Sequence, residues 1–151
     1  MNKIFSLIVI VLIFIVGKKI GEQAFNSESP SKQDIENKLI QAFKQAAKEI
    51  NQNTPNMVDS ETRMDKATVG PGTILTYHYT FPNYSSNEIE SEWIYSELRE
   101  RVTSDVCNSK KMKPSLQYGA TYTYSYSGSD QKVIGAFQIK RKDCGYAAVT
   151  P

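Results

Sequence analysis

Histidine and tryptophan each occur once in this chain of 151 residues, and cysteine only twice. Those scarcities exclude a good deal. His78, Cys107 and Cys144 are too few for most metal sites and stand at no CxxC or HxxxH spacing, so a metal centre is not expected. A lone histidine at mid-strand needs a nucleophile or acid brought beside it to act as a base. The phosphate-cradling GxxxxGK[ST] pattern is absent. Gly70-Pro71-Gly72 comes nearest, but it leads into a strand and reads as a turn. Charge of one sign is also lacking. The formal net charge is +2, and only Lys110, Lys111 and Lys113 cluster. A nucleic-acid binder carries a basic stripe or a clearly basic domain, so nucleic acid is not expected as a partner, and no cofactor is expected either.

What is present starts at the N-terminus. Met1-Asn2-Lys3 precedes an apolar run from Ile4 to Val16 broken only by Ser6, and Gly17-Lys18-Lys19-Ile20-Gly21 follows. A basic start before a short apolar stretch is the layout of a secretory signal. The run is shorter than the ~20 residues that cross a bilayer comfortably. Against cleavage, no A-x-A-like site follows, and Lys18 and Lys19 can extend their ammonium groups to the interface, carrying the apolar stretch toward Ile20. The balance favours an uncleaved anchor over a removed signal. No cysteine lies near the run, which excludes a lipoprotein anchor. Lysines on both sides nearly cancel as orientation signals. Cys107 and Cys144, both beyond the segment, decide it: two cysteines in a small exported domain pair where the compartment is oxidising. The expected organisation is a membrane segment over residues 1–25, a linker over 26–31 and an extracytoplasmic domain over 32–151.

The domain reads as α+β. Ser31 caps a helix from Lys32 to Asn51, with Asp34 completing a near capping box and Ile35, Leu39, Phe43, Ala46, Ala47 and Ile50 as its apolar stripe. Residues 57–70 read as a weak strand and 73–81 as a clear one, a hairpin across Gly70-Pro71-Gly72. A second helix is expected from Ser86 or Asn87 to Cys107, buried through Ile89, Trp93, Ile94, Leu98, Val102 and Val106, with Glu97 and Arg101 as an i,i+4 pair. After a basic loop with Pro114, a second hairpin alternates Tyr122, Tyr124 and Tyr126 with hydroxyl residues and returns through Val133, Gly135, Phe137 and Ile139. The layout is helix-strand-strand twice, an antiparallel sheet with both helices on one face. GTILTYHY at 72–79 and GATYTYSY at 119–126 are similar, which leaves open a duplicated unit or the convergence of two tyrosine-rich strands.

The candidate binding surface joins Asp59, Arg63 and Asp65, a dense charged group, to Tyr77, His78 and Tyr79 on the next strand. The plainer reading makes the charges a solvated strand and the tyrosines a core face under the helices. The only covalent element expected is a Cys107–Cys144 disulfide joining the end of the second helix to the end of the last strand.

Pro55 to Asp65, Gly70-Pro71-Gly72 and Leu75-Thr76-Tyr77-His78-Tyr79, with the Gly-Lys-x-Ile-Gly-like end of the apolar run and the late cysteine pair, resemble a group of small uncharacterised bacterial proteins. That resemblance implies an exported α+β domain and no activity. A type IV pilin-like subunit has a comparable plan, but no glycine precedes Phe5 here and no glutamate follows within the apolar run. The expectation is a non-enzymatic, membrane-tethered interaction module, an accessory subunit of an envelope complex with another envelope protein as partner. A small secreted binder or inhibitor of the immunity type and an enzyme with an unrecognised site are the alternatives.

Overall fold

The computed structural model describes residues 30–149. The apolar segment and most of the linker expected before Ser31 lie outside the described residues. Among the described residues no helix is long and apolar enough to cross a membrane.

Helix α1 runs Lys32–Gln52 and starts as its sequence dictates. Ser31 Oγ accepts the Asp34 N–H at 3.2 Å while the Asp34 carboxylate accepts the Ser31 N–H at 3.2 Å, so both ends of the capping box are closed. Its stripe of Leu39, Phe43, Ala46, Ala47 and Ile50 is buried.

Strands β1 (Asn56–Met57), β2 (Arg63–Val69), β3 (Ile74–Phe81), β4 (Thr121–Gly128) and β5 (Val133–Lys140) form one sheet in that order. The weak strand expected over 57–70 is in fact two. The Asp59 carboxylate accepts the N–H groups of Glu61 at 2.6 Å and Thr62 at 2.7 Å, a turn that folds β1 back on β2. The turn between β2 and β3 needs its glycines, since Gly70 and Gly72 take φ of +99° and +68°.

The sheet is mostly antiparallel, but its central pair is not: β3 and β4 run parallel, from Ile74 beside Thr121 to Phe81 beside Gly128. Expecting an antiparallel sheet throughout overlooked the connection over 82–120, which carries the second helix across one face and so returns the chain in the same direction. GTILTYHY and GATYTYSY therefore lie side by side in the register in which they align letter by letter. One is the second strand of its half and the other is the first, so the likeness is not a copied helix-strand-strand unit. Both are interior strands of the sheet, each flanked by a strand on either side.

The connection departs from a single helix. A 3-10 turn at Ser86–Glu88 closes its own Ser85–Glu88 capping box, Ile89 is extended, and helix restarts as α2 (Ser91–Trp93). A π-turn at Ile94–Leu98 joins it to α3 (Arg99–Asn108). Ile94, Leu98, Val102 and Val106 recur every fourth position, which overshoots the α-helical turn, and the wider π-turn takes up the overshoot so that Ile94 and Val102 both face the sheet. The basic loop also holds a short helix, α4 (Lys113–Gln117), started by Pro114 and anchored by fully buried Leu116.

Both long helical segments cover the same face. Phe43 of α1 packs on Tyr122 with ring centroids 5.5 Å apart, and Trp93 packs on Phe81 at 6.2 Å. Between them Tyr77, Tyr79, Tyr122, Tyr124 and Tyr126 stack in rows with neighbouring centroids 5.2–6.4 Å apart. Cys107 and Cys144 are joined, Cα to Cα 5.2 Å, tying α3 to the 3-10 turn Arg141–Cys144 that follows β5.

Candidate functional site

Strand alternation divides the candidate surface read from the sequence. Tyr77 and Tyr79 belong to the tyrosine rows under the helices, and Tyr77 is buried. Burial pushes the hydroxyls of Tyr77, Tyr79, Tyr124 and Tyr126 far up, and that of Tyr122 to about 12. These phenols stay neutral at any working pH and act as packing, with Tyr122 anchored to Ser115 through their hydroxyls at 2.7 Å.

His78 points to the opposite, open face. Its Nε2 lies 2.8 Å from Thr68 Oγ1, and burial, then the Lys66 ammonium, hold its pKa below the ordinary value. The neutral imidazole is thus held against the Thr68 hydroxyl on the half-buried outer face of β3.

Arg63 and Asp65 sit where β2 bulges between Met64 and Lys66. Arg63 Nε lies 2.6 Å from Asp65 Oδ1, and Thr80 Oγ1 donates to Asp65 Oδ2 at 2.6 Å. One carboxylate oxygen thus pairs with Arg63 across the bulge within β2, and the other ties the bulge to β3. Asp59 holds its turn through Oδ1. The six residues therefore fall into four local structures: Tyr77 and Tyr79 in the tyrosine rows, His78 with Thr68, Arg63 with Asp65, and Asp59 in its turn. Among the described residues no group of acids, cysteines or histidine could hold a metal ion.

Sequence reasoning passed over the outer side of β5. Beyond it Tyr95, Ser96, Arg99, Glu100, Thr103 and Asp143 line a shallow open depression between the helical segment and the 3-10 turn that follows β5. Tyr95 is 46% exposed, and Ala136 N–H donates to its hydroxyl at 3.4 Å. Lys140 N–H donates to Asp143 Oδ2 at 2.7 Å, and Arg99 Nη2 stands 3.8 Å from Asp143 Oδ1. Val133, at the start of the strand, is 64% exposed. The one signal in the sequence was a tyrosine off the apolar stripe of its helix; that β5 is an edge strand could not be read at all.

The profile of the domain of unknown function DUF8479 matches residues 37–135, and the chain belongs to that family. In fold it is similar to a Pseudomonas aeruginosa protein provisionally described as secreted, at TM-score 0.61 and 20% identity over 73% of this chain and 96% of that one. It is also similar to the type II secretion system pilotin AspS of Vibrio cholerae, at TM-score 0.58 and 13% identity over 74% and 97%. The pilotin EpsS of the Vibrio vulnificus type 2 secretion system matches with the same score and identity, over 74% and 96%. No curated protein matches in sequence.

Proposed function

We propose that this member of a family of unknown function is an extracytoplasmic accessory module of an envelope complex, held at the membrane by the apolar segment over residues 4–16 and acting by engaging another envelope protein. The observation that carries the reading is the likeness to two secretion-system pilotins over 96–97% of their length, so the whole pilotin fold has a counterpart here. The Cys107–Cys144 disulfide supports a location outside the cytoplasm. The non-enzymatic reading draws support from the candidate carboxylates: Asp59 Oδ1 holds its turn, and both Asp65 oxygens are taken by Arg63 and Thr80.

Affinity capture of the full-length protein from its native envelope tests the role. A single envelope protein recovered in fixed proportion is expected; recovery of none sinks the reading. Intact mass of the membrane-extracted chain tests the tether. An uncleaved N-terminus is expected, and a chain beginning between Gly17 and Ser27 would leave a secreted binder instead. That second reading draws its support from the Pseudomonas protein provisionally described as secreted.

A further inference from the structure

We infer that the outer edge of β5 is a docking site for an extended segment of the partner polypeptide, which adds to the sheet as a further strand antiparallel to β5. The inference rests on the interaction role proposed above and names the surface that serves it.

Among the described residues no strand pairs with this edge. The N–H groups of Ala136 and Lys140 point away from β4, toward Tyr95 and Asp143. Hydrogen-bonding direction alternates along a strand, so Gln138 between them presents its N–H and C=O outward as well. Unpaired edge groups are a template for another strand unless something blocks them. Here the block at Ala136 is a single long hydrogen bond that its N–H donates to an exposed tyrosine. The tyrosine is set there by the π-turn at Ile94–Leu98, a kind of helical irregularity that recurs at functional sites. Tyr95 and Asp143, which hold the outward N–H groups of Ala136 and Lys140, also line the open depression with Arg99, so it adjoins the edge and offers room for side chains of an added strand.

Charge selects the occupant. Lys132 precedes β5, while Lys140 ends it and Arg141 and Lys142 follow. Asp130 is engaged by Ser86 and Lys132, and Asp143 by the Lys140 N–H and Arg99; Glu100 is the remaining acid of the depression. A second copy paired antiparallel about Ala136 would set Lys132 across from Lys140 twice, and like charges directly opposite are destabilising. The edge thus discriminates against itself. It fits a strand whose N-terminal end is acidic, because antiparallel addition brings that end beside Lys140 and Lys142.

The test uses the isotopically labelled full chain in detergent micelles. The probe is an eight-residue peptide of alternating threonine and valine preceded by two glutamates. Saturable amide shifts at Ala136, Gln138 and Lys140 are expected. Methylating alternate amide nitrogens of the peptide should weaken binding about tenfold or more, because strand addition needs those donors. Gln138→Pro removes an outward N–H at a position where an edge strand tolerates proline, and should weaken binding about tenfold as well. Should that variant fail to fold, Lys140→Glu with Lys142→Glu serves in its place and should reverse the preference toward a peptide carrying lysines for the glutamates. Tyr95→Phe frees the Ala136 N–H and should tighten binding about threefold. Shifts confined to the tyrosine rows, no saturable shift at β5, or a chain dimer that Gln138→Pro dissociates would each overturn the proposal. If the Gln138→Pro chain still captures the same envelope protein at the wild-type level, the edge is wrong and the accessory role stands. If the wild-type chain captures nothing, the accessory role falls and the peptide titration still decides the edge.

Discussion

The two edges of the sheet are protected in different ways. At the β2 edge, β1 pairs with Arg63 and Met64, and farther along Asn51 of α1 takes both groups of Ala67, donating to its C=O at 2.9 Å and accepting its N–H at 2.7 Å. Backbone and amide side chain together complete that edge as another strand would. At the β5 edge one hydroxyl lies at 3.4 Å from Ala136 N and one carboxylate caps Lys140, with Gln138 between them. The first edge is closed by the fold itself; the second is only screened, by side chains that can rotate away. A stable core and an available surface thus coexist in one sheet because opposite edges are left to different means.

The largest expected effect falls on the screened side. The disulfide closes a loop with a sequence separation of 37 and pins the turn whose Asp143 covers Lys140. Replacing both cysteines by serine should cost about 4 kcal/mol in the chain-entropy account, read as a lower urea midpoint of the full chain in micelles. Hydrogen exchange of the Lys140 amide should quicken more than that of Ala67. Equal quickening would break the comparison of the edges.

Next comes the contact between β5 and the π-turn. A Cβ on Gly135 would stand 2.9 Å from Ile94 Cγ2 and 3.3 Å from Tyr95 Cζ. Gly135→Ala should therefore cost about 1–3 kcal/mol through overpacking, by the same denaturation measurement, and should displace Tyr95 from Ala136. A neutral outcome would mean that the helical segment slides freely over the edge.

A matched pair of substitutions sharpens the contrast directly. Asn51→Ala leaves the Ala67 N–H and C=O without their partner and should cost about 1–3 kcal/mol with faster exchange at Ala67. Tyr95→Phe loses one long, exposed hydrogen bond and should cost less than about 0.5 kcal/mol. If the two cost the same, the β5 edge is as firmly closed as the other.

What could be read from the sequence, and what could not, follows the range of the interactions. Ser31 with Asp34, the stripe from Leu39 to Ile50 and the alternation of Tyr122, Tyr124 and Tyr126 are local patterns with local causes, and the structure carries them as expected. The parallel pairing of β3 with β4 was hidden because direction depends on where the connection crosses, which no residue in either strand records. The split between Tyr77 and His78 was implicit in their adjacency, yet grouping them as one surface set that alternation aside. Asn51 closing an edge sixteen residues away, and Tyr95 screening another forty-one away, depend on packing between elements distant in sequence.

The smallest effect lies between the edges, at His78. Burial first and the Lys66 ammonium second disfavour its protonated form, and Asp65 opposes them in part. With the folded value below the ordinary one, the unfolded chain takes up the proton first as pH falls below about 6.5. The stability owed to a neutral His78 is therefore complete above that pH and is lost as pH falls from there to the lower, folded value. His78→Gln keeps a hydrogen-bonding group near Thr68 and removes the titration. Carboxylates held low by their own partners, Asp34 by Ser31 and Asp130 by Ser86, contribute equally in both proteins. The urea midpoint of the wild-type chain should fall more steeply between about pH 7 and 5 than that of the variant. Parallel slopes would mean that His78 titrates in the fold as it does in the unfolded chain, and that the open face between the two edges is as wet as bulk solvent.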